Sequence, residues 1–224
     1  MPAELRQIIE GVLFVFAALL PIVNPFAGAP MFLALTGDCT PALRASLARR
    51  VARNAFLLLL GSVFVGNYVL VFFGLSVPVV QVAGGLIVCG LGWDLLRQDS
   101  TLPNPEHAVG PDPVEMRNRA FYPLTLPLTV GPGTISVAIT IGANHSYGMR
   151  SLLVNSASEL IGVTAIAGTI FVCYRYADRM LRALGATGTN VLVRLSAFIL
   201  LCIGVQIFWN GASALIGTLS GVHG

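Results

Sequence analysis

Two short stretches of this sequence combine residues that interrupt a helix with residues that offer polar groups. The first is Leu20-Pro21-Ile22-Val23-Asn24-Pro25-Phe26-Ala27-Gly28. The second is Leu126-Pro127-Leu128-Thr129-Val130-Gly131-Pro132-Gly133-Thr134. Proline inside a helix removes a donor and clashes with the preceding turn, at a cost of about 3 kcal/mol. The helix that resumes beyond such a break begins with unpaired N–H groups, which carry partial positive charge and receive carboxylates or phosphates. In the second stretch Pro132 suits the first turn of the resumed helix. Gly133 lets a ligand approach the backbone, Thr134 adds a hydroxyl, and Thr129 and Gly131 lie just before them. In the first stretch Asn24 suits a helix cap and offers an amide, with Pro25 and Gly28 following. The chemistry these residues suit is reversible recognition of a small polar molecule.

Bond-making chemistry has no such support. The sequence holds no HExxH, no GxSxG and no pair of aspartates inside an apolar stretch, which excludes the familiar intramembrane enzymes. His107, His145 and His223 form no cluster, and the four cysteines suggest neither a metal site nor a disulfide framework, so no cofactor is expected. Glu159 lies inside an apolar stretch and is a candidate proton carrier, with pairing to Arg150 as the alternative. Asp94 is expected at the membrane interface near Arg97. Asn67, Gln206 and Asn210 suit helix association, and Gly85, Cys89 and Gly92 share a helix face that suits close packing. Asn144-His145-Ser146 fits a glycosylation sequon, but the match is too short to carry weight.

The elements that must hold the two stretches are membrane spans. Soluble domains carry about 25% charged residues; this chain of 224 residues carries 10%, with 55% hydrophobic residues. That balance excludes a cytosolic enzyme and a disordered chain. A net charge of +3 without a basic face excludes a nucleic-acid partner. A span needs about 20 apolar residues. Six segments qualify: Ile8–Leu35, broken near Pro21–Pro25; Asn54–Phe73; Val77–Leu96; Phe121–Ala143, broken near Pro127–Gly133; Leu152–Tyr174; and Val191–Leu219. Residues 98–119, polar and rich in proline, read as a linker. Arg6 followed by Ile8–Leu20 has the look of a signal peptide, but Pro21 and Pro25 occupy the cleavage region, so the segment is taken as the first span. Thr40 and Pro41 read as the cap and first residue of a helix that leads into the second span.

All thirteen basic residues are arginine. Six spans put eleven of them on one side and only Arg6 and Arg150 on the other. By the positive-inside rule both termini face away from the cytoplasm, and the arginine clusters meet anionic headgroups.

The two broken spans are also copies in a repeat. Gln81–Leu91 aligns with Arg194–Gly204 at an offset of 113, which sets Cys89 on Cys202. Gly74 before the third span has a partner in Gly185 before the sixth. The unit is three helices, and an odd number of crossings inverts the second copy. The expected fold is therefore an all-α polytopic membrane protein, one membrane domain over 1–224. It has six transmembrane helices in two inverted three-helix repeats, at 8–97 and 120–219, with spans one and four broken. Matched breaks in the two halves of such a repeat point to a transport site.

Residues 19–35, 72–96, 120–139 and 194–211 resemble the MarC family of bacterial inner-membrane proteins, also called the UPF0056 or neutral amino acid transporter family. The GPGT of 131–134 and the AGG of 83–85 carry the likeness together. The resemblance implies six spans, kinship with LysE-like exporters and transport of small neutral amino acids such as alanine or glycine. The family usually has arginine where this chain has Gln81, whereas Arg194 keeps the charge in the second half. These two are gating or coupling candidates beside Glu159. The expected partners are the lipid bilayer and a small-molecule substrate. Nothing resembles an ATP site, so an ion gradient is the expected drive. A non-transporting membrane scaffold or regulator is the competing function.

Overall fold

The computed structural model describes residues 3–37, 39–97, 118–143 and 149–220. Outside them lie residues 98–117 of the linker expected at 98–119, with His107 and Arg117, the sequon at 144–146 with His145, and His223, and also the Arg150 side chain. The helices are α1 (Ala3–Val23), α2 (Pro25–Leu35), α3 (Pro41–Phe72), α4 (Val77–Arg97), α5 (Pro132–Ala143), α6 (Met149–Arg175) and α7 (Ala177–Ser220). Among the described residues five helical stretches are long and apolar enough to cross a membrane: Glu4–Val23, Pro41–Phe72, Val77–Arg97, Leu152–Arg175 and Thr187–Gly217. α2 and α5 are apolar but have 11 and 12 residues. Neither alone covers the roughly 30 Å hydrocarbon core.

Local chemistry sets the boundaries. α1 stops at Val23 because Pro25 has no N–H to continue it, and Asn24 turns into the left-handed region at φ 44°, ψ 57°. Asparagine tolerates that conformation better than most residues. Its Oδ1 accepts from the Ala27 N–H at 3.3 Å and so starts α2. Thr40 caps α3 in the same way, its hydroxyl accepting from the Leu43 N–H at 3.3 Å. Gly74 (φ 67°) and Gly185 (φ 65°) are the left-handed glycines among the described residues. Gly74 precedes α4, and Gly185 kinks α7 ahead of its long apolar part.

The stretch before α5 departs from the two half-helices expected of span four. After a helical turn at 118–121, residues 122–130 form a series of turns, and regular helix begins at Pro132. Pro123 and Pro127 delete two donors four residues apart, so the ordinary ladder is interrupted. Helix-type bonds survive from the Tyr122 N–H to Asn118 O, Thr125 to Phe121 and Thr129 to Thr125, and wider bonds lie between them: Leu124 to Arg119, Leu126 to Phe121, Leu128 to Pro123 and Val130 to Thr125. The Thr125 and Thr129 hydroxyls donate to Ala120 O at 2.6 Å and Leu124 O at 2.7 Å. Carbonyls left over by the prolines are thus satisfied without water, as apolar surroundings require.

The outer surface is apolar. Leu13, Phe14, Leu57, Phe198 and Trp209 are all more than half exposed. Such a surface suits acyl chains rather than water. The core lies between α1, α3 and α6, with Leu19, Leu59, Ile166 and Ile170 fully buried. Glycines bring the helix backbones together. A Cβ on Gly162 would stand 2.7 Å from Val15, joining α6 to α1, and one on Gly142 would run into the Val63 carbonyl of α3. The seam expected at Gly85, Cys89 and Gly92 faces α7. A Cβ on Gly204 would stand 2.6 Å from the Cys89 nitrogen, one on Gly211 2.6 Å from Pro78 O, and one on Gly92 2.8 Å from the Leu201 nitrogen. The late residues of α7 meet the early ones of α4, so the two helices run antiparallel. Small residues permit this approach, and dispersion at short range rewards it.

One arginine of the cluster near α3 is structural. Arg44 donates to Asp178 Oδ2 at 2.7 Å and to Thr36 O at 2.9 Å. It therefore ties the α2–α3 connection to the start of α7. Its side chain is 14% exposed and that of Asp178 is 40% exposed. Arg44→Ala is expected to destabilise the protein by about 2 kcal/mol, because it strips buried carbonyls of a charged donor. Asp178→Asn should cost under about 1 kcal/mol, as an exposed partner contributes little. Unfolding curves in detergent check both, and equal losses would contradict the assignment.

Candidate functional site

α2, the end of α1, the proline turns, the start of α5 and one face of α4 enclose a cavity of about 330 Å³. From α2 and its cap it takes Asn24, Ala27, Gly28, Met31 and Leu35, which share a stripe at helical spacing. From the turns it takes Pro123, Pro127, Leu128 and Thr129. Gly131, Gly133 and Thr134 line it where α5 begins, and Val88, Leu91, Asp94 and Leu95 line it from α4.

The two stretches singled out in the sequence therefore meet at one place. Asn24, Gly28, Thr129, Gly131, Gly133 and Thr134 all line the cavity. Pro25 and Pro132 start α2 and α5 beside it without lining it. The gating and coupling candidates lie elsewhere. Gln81 donates to the Thr140 hydroxyl at 3.4 Å, bridging α4 and α5. Arg194 is exposed on α7, and Glu159 is buried on α6; neither lines the cavity.

The start of α5 has the electrostatics of an anion site. Its first helical bond runs from the Ile135 N–H to Gly131 O at 3.1 Å. Pro132 has no N–H, and those of Gly133 and Thr134 make no backbone bond to the turn before them. Thr134 is only 3% exposed, yet its hydroxyl makes no hydrogen bond among the described residues. The residue is buried but borders the cavity, where its hydroxyl has unmet hydrogen-bonding capacity. Gly133 must lack a side chain, because a Cβ there would overlap Val88 Cγ2 across the α4–α5 contact.

Tyr174 supports the opposite wall. It is fully buried and stacks on Phe32, with ring centroids 4.6 Å apart and an interplanar angle of 16°. Its hydroxyl lies 2.9 Å from Thr129 Oγ1. A Cβ on Gly28 would stand 2.6 Å from the same hydroxyl. Tyr174 thus locks α2 to the proline turns. Sequence inspection passes over it because a tyrosine near a span end reads as an interfacial anchor. The sequence likewise puts Asp94 at the interface, although an acid within an apolar helix is itself a functional signal.

The lock predicts a coupled pair. Gly28→Ala should destabilise by about 1–3 kcal/mol through overpacking, and Tyr174→Phe by about 1 kcal/mol through the lost hydrogen bond. The double variant should lose less than the sum, because the phenylalanine lacks the oxygen that the added methyl strikes. Additive losses in detergent unfolding would refute the contact.

Residues 9–216 match the family described as MarC family integral membrane protein. The UPF0056 membrane protein YvbG of Bacillus subtilis is 28% identical over 210 residues, covering 93% of this chain and 97% of that protein. The UPF0056 inner membrane protein MarC of Salmonella typhimurium is 31% identical over 208 residues, covering 89% and 93%. Its namesake in Citrobacter koseri is 31% identical over 206 residues, again covering 89% and 93%. No solved structure matches. A match spanning almost all of a chain with an apolar exterior leaves one conclusion: this protein belongs to the MarC family of integral membrane proteins.

Proposed function

We propose that the protein is a secondary transporter of small solutes, neutral amino acids foremost, in a bacterial inner membrane. The observation that carries this is the meeting of the two proline-interrupted stretches around one cavity with free donors. A ligand carboxylate binds the Gly133 and Thr134 N–H groups and the Thr134 hydroxyl. Helix interruptions facing each other across a cavity are the usual build of a midplane substrate site.

The architecture we propose has six spans, α1 with α2 forming the first and residues 118–143 the fourth. The halves at 8–97 and 120–219 are related by inversion, with both termini periplasmic. Antiparallel α4 and α7, and left-handed glycines ahead of each, are in keeping with that symmetry. The cavity opens alternately to the two sides of the membrane, driven by an ion gradient. The cell membrane assignment follows the Salmonella and Citrobacter relatives, which are named as inner membrane proteins.

Uptake of radiolabelled alanine into proteoliposomes, with and without an imposed ion gradient, tests the proposal. Gradient-dependent accumulation above empty vesicles is expected. A panel of amino acids that gives neither flux nor thermal stabilisation of the purified protein would overturn it in favour of a scaffold.

A further inference from the structure

Asp94 is the one formally charged residue among the described residues that line the cavity. It is exposed, on the last turns of α4. We infer that its carboxylate receives the ammonium group of the solute and so makes the cavity selective for zwitterions over simple anions. This deepens the proposed function and rests on it.

The remaining polar groups leave this task to Asp94. The Gly133 and Thr134 N–H groups are donors and suit an anion. Asn24 Oδ1 is already engaged by the Ala27 N–H, so what Asn24 presents is the donor half of its amide. The Thr129 hydroxyl donates to Leu124 O and contacts Tyr174. Donors do not receive an ammonium. The rivals are uncharged acceptors: the Ile22 and Val23 carbonyls at the negative end of α1, the Pro127, Leu128 and Thr129 carbonyls of the turns, which accept no backbone bond, and the Thr134 hydroxyl; Asp94 alone adds a full negative charge.

Spacing along α4 fits a small amino acid. Val88 abuts Gly133, and Leu91 Cδ1 lies 3.9 Å from where a Gly131 Cβ would stand. Asp94 is one turn beyond Leu91, about 4.5 Å along the axis at 1.5 Å per residue. A helical side chain leans toward its own N-terminus, so the Asp94 carboxylate leans back toward Leu91 and the start of α5. Donors and acceptor are therefore offset along α4 by a few ångströms, with apolar Val88 and Leu91 between them. A bound zwitterion keeps its carboxylate at α5 and its ammonium at Asp94.

Thermal stabilisation of the purified full-length protein by L-alanine, L-lactate and L-alaninamide tests this. Lactate keeps the carboxylate and replaces the ammonium by a hydroxyl; alaninamide keeps the ammonium and removes the anionic charge. The wild type should bind alanine more tightly than lactate. Asp94→Asn should weaken alanine by about 10- to 100-fold, the range for losing a hydrogen bond to a charged group, and leave lactate unchanged. Asp94→Glu should retain the preference for alanine. Should Asp94→Asn not fold, the wild type still decides: L-lactamide, the hydroxyl counterpart of alaninamide, should stabilise it less than alaninamide does. Unchanged alanine affinity in Asp94→Asn, or equal wild-type responses to alaninamide and lactamide, would overturn the role of Asp94; the first would pass it to the uncharged acceptors of the cavity. A wild type indifferent to every amino acid and without flux would overturn the transport reading itself, which separates the two failures.

Discussion

Gly133→Val should reduce alanine uptake in proteoliposomes to the level of empty vesicles. The first carbon added at Gly133 overlaps Val88 Cγ2 and comes within 3.4 Å of the Gly84 carbonyl. Both groups belong to α4, so α5 has to move away from it. The valine branches enlarge the clash and enter the space where a ligand would reach the backbone. Overpacking of this kind costs about 3 kcal/mol at the upper end of its usual range, roughly a 100-fold loss when it falls on binding. A paired test separates clash from general damage. Gly133→Ala alone should impair uptake, and adding Val88→Ala should restore part of it by removing the struck methyl. Normal expression with undiminished uptake in Gly133→Val would mean that the start of α5 does not touch the substrate.

Gly85→Val should destabilise the protein by about 3 kcal/mol or more. An added Cβ would stand 2.7 Å from Phe208 Cα and 2.8 Å from the Gly204 carbonyl. These are backbone atoms, so no rotamer change relieves the contact. Gly90, five residues along α4, provides the control. It is exposed, and no atom lies within 4 Å of its Cβ position. Gly90→Ala should be neutral within about 0.5 kcal/mol. Unfolding midpoints in detergent measure both, and similar values for Gly85→Val and Gly90→Ala would refute the close approach of α4 and α7.

What could be read from the sequence was local or periodic. Asn24 and Thr40 were recognisable as caps because each depends on its own side chain and a proline one residue later. Apolar length located the five long helices, since the bilayer fixes how long they must be. The same cue misjudged residues 122–130. Their apolar character suited a helix, but Pro123 and Pro127 together remove more of the ladder than one break does, and Thr125 and Thr129 stabilise turns instead. The candidate ligand residues were legible because interruption chemistry is written in consecutive residues. Asp94 and Tyr174 were not. Their places depend on how α4 and α6 are rotated against α2 and α5, which no single segment encodes. The glycines that set those rotations were visible, but which helix each one faces emerges only from packing.

The meshing of α4 with α7 limits how the protein can move. Backbones that touch along several turns cannot part without opening a gap that lipid tails fill poorly, nor rotate separately without collision. The pair therefore behaves as one lever. Val88, Leu91 and Asp94 ride on it together with Leu200, so whatever widens the cavity carries all four residues at once. Gly74 and Gly185, the positive-φ glycines before α4 and before the apolar part of α7, mark the two ends of the lever.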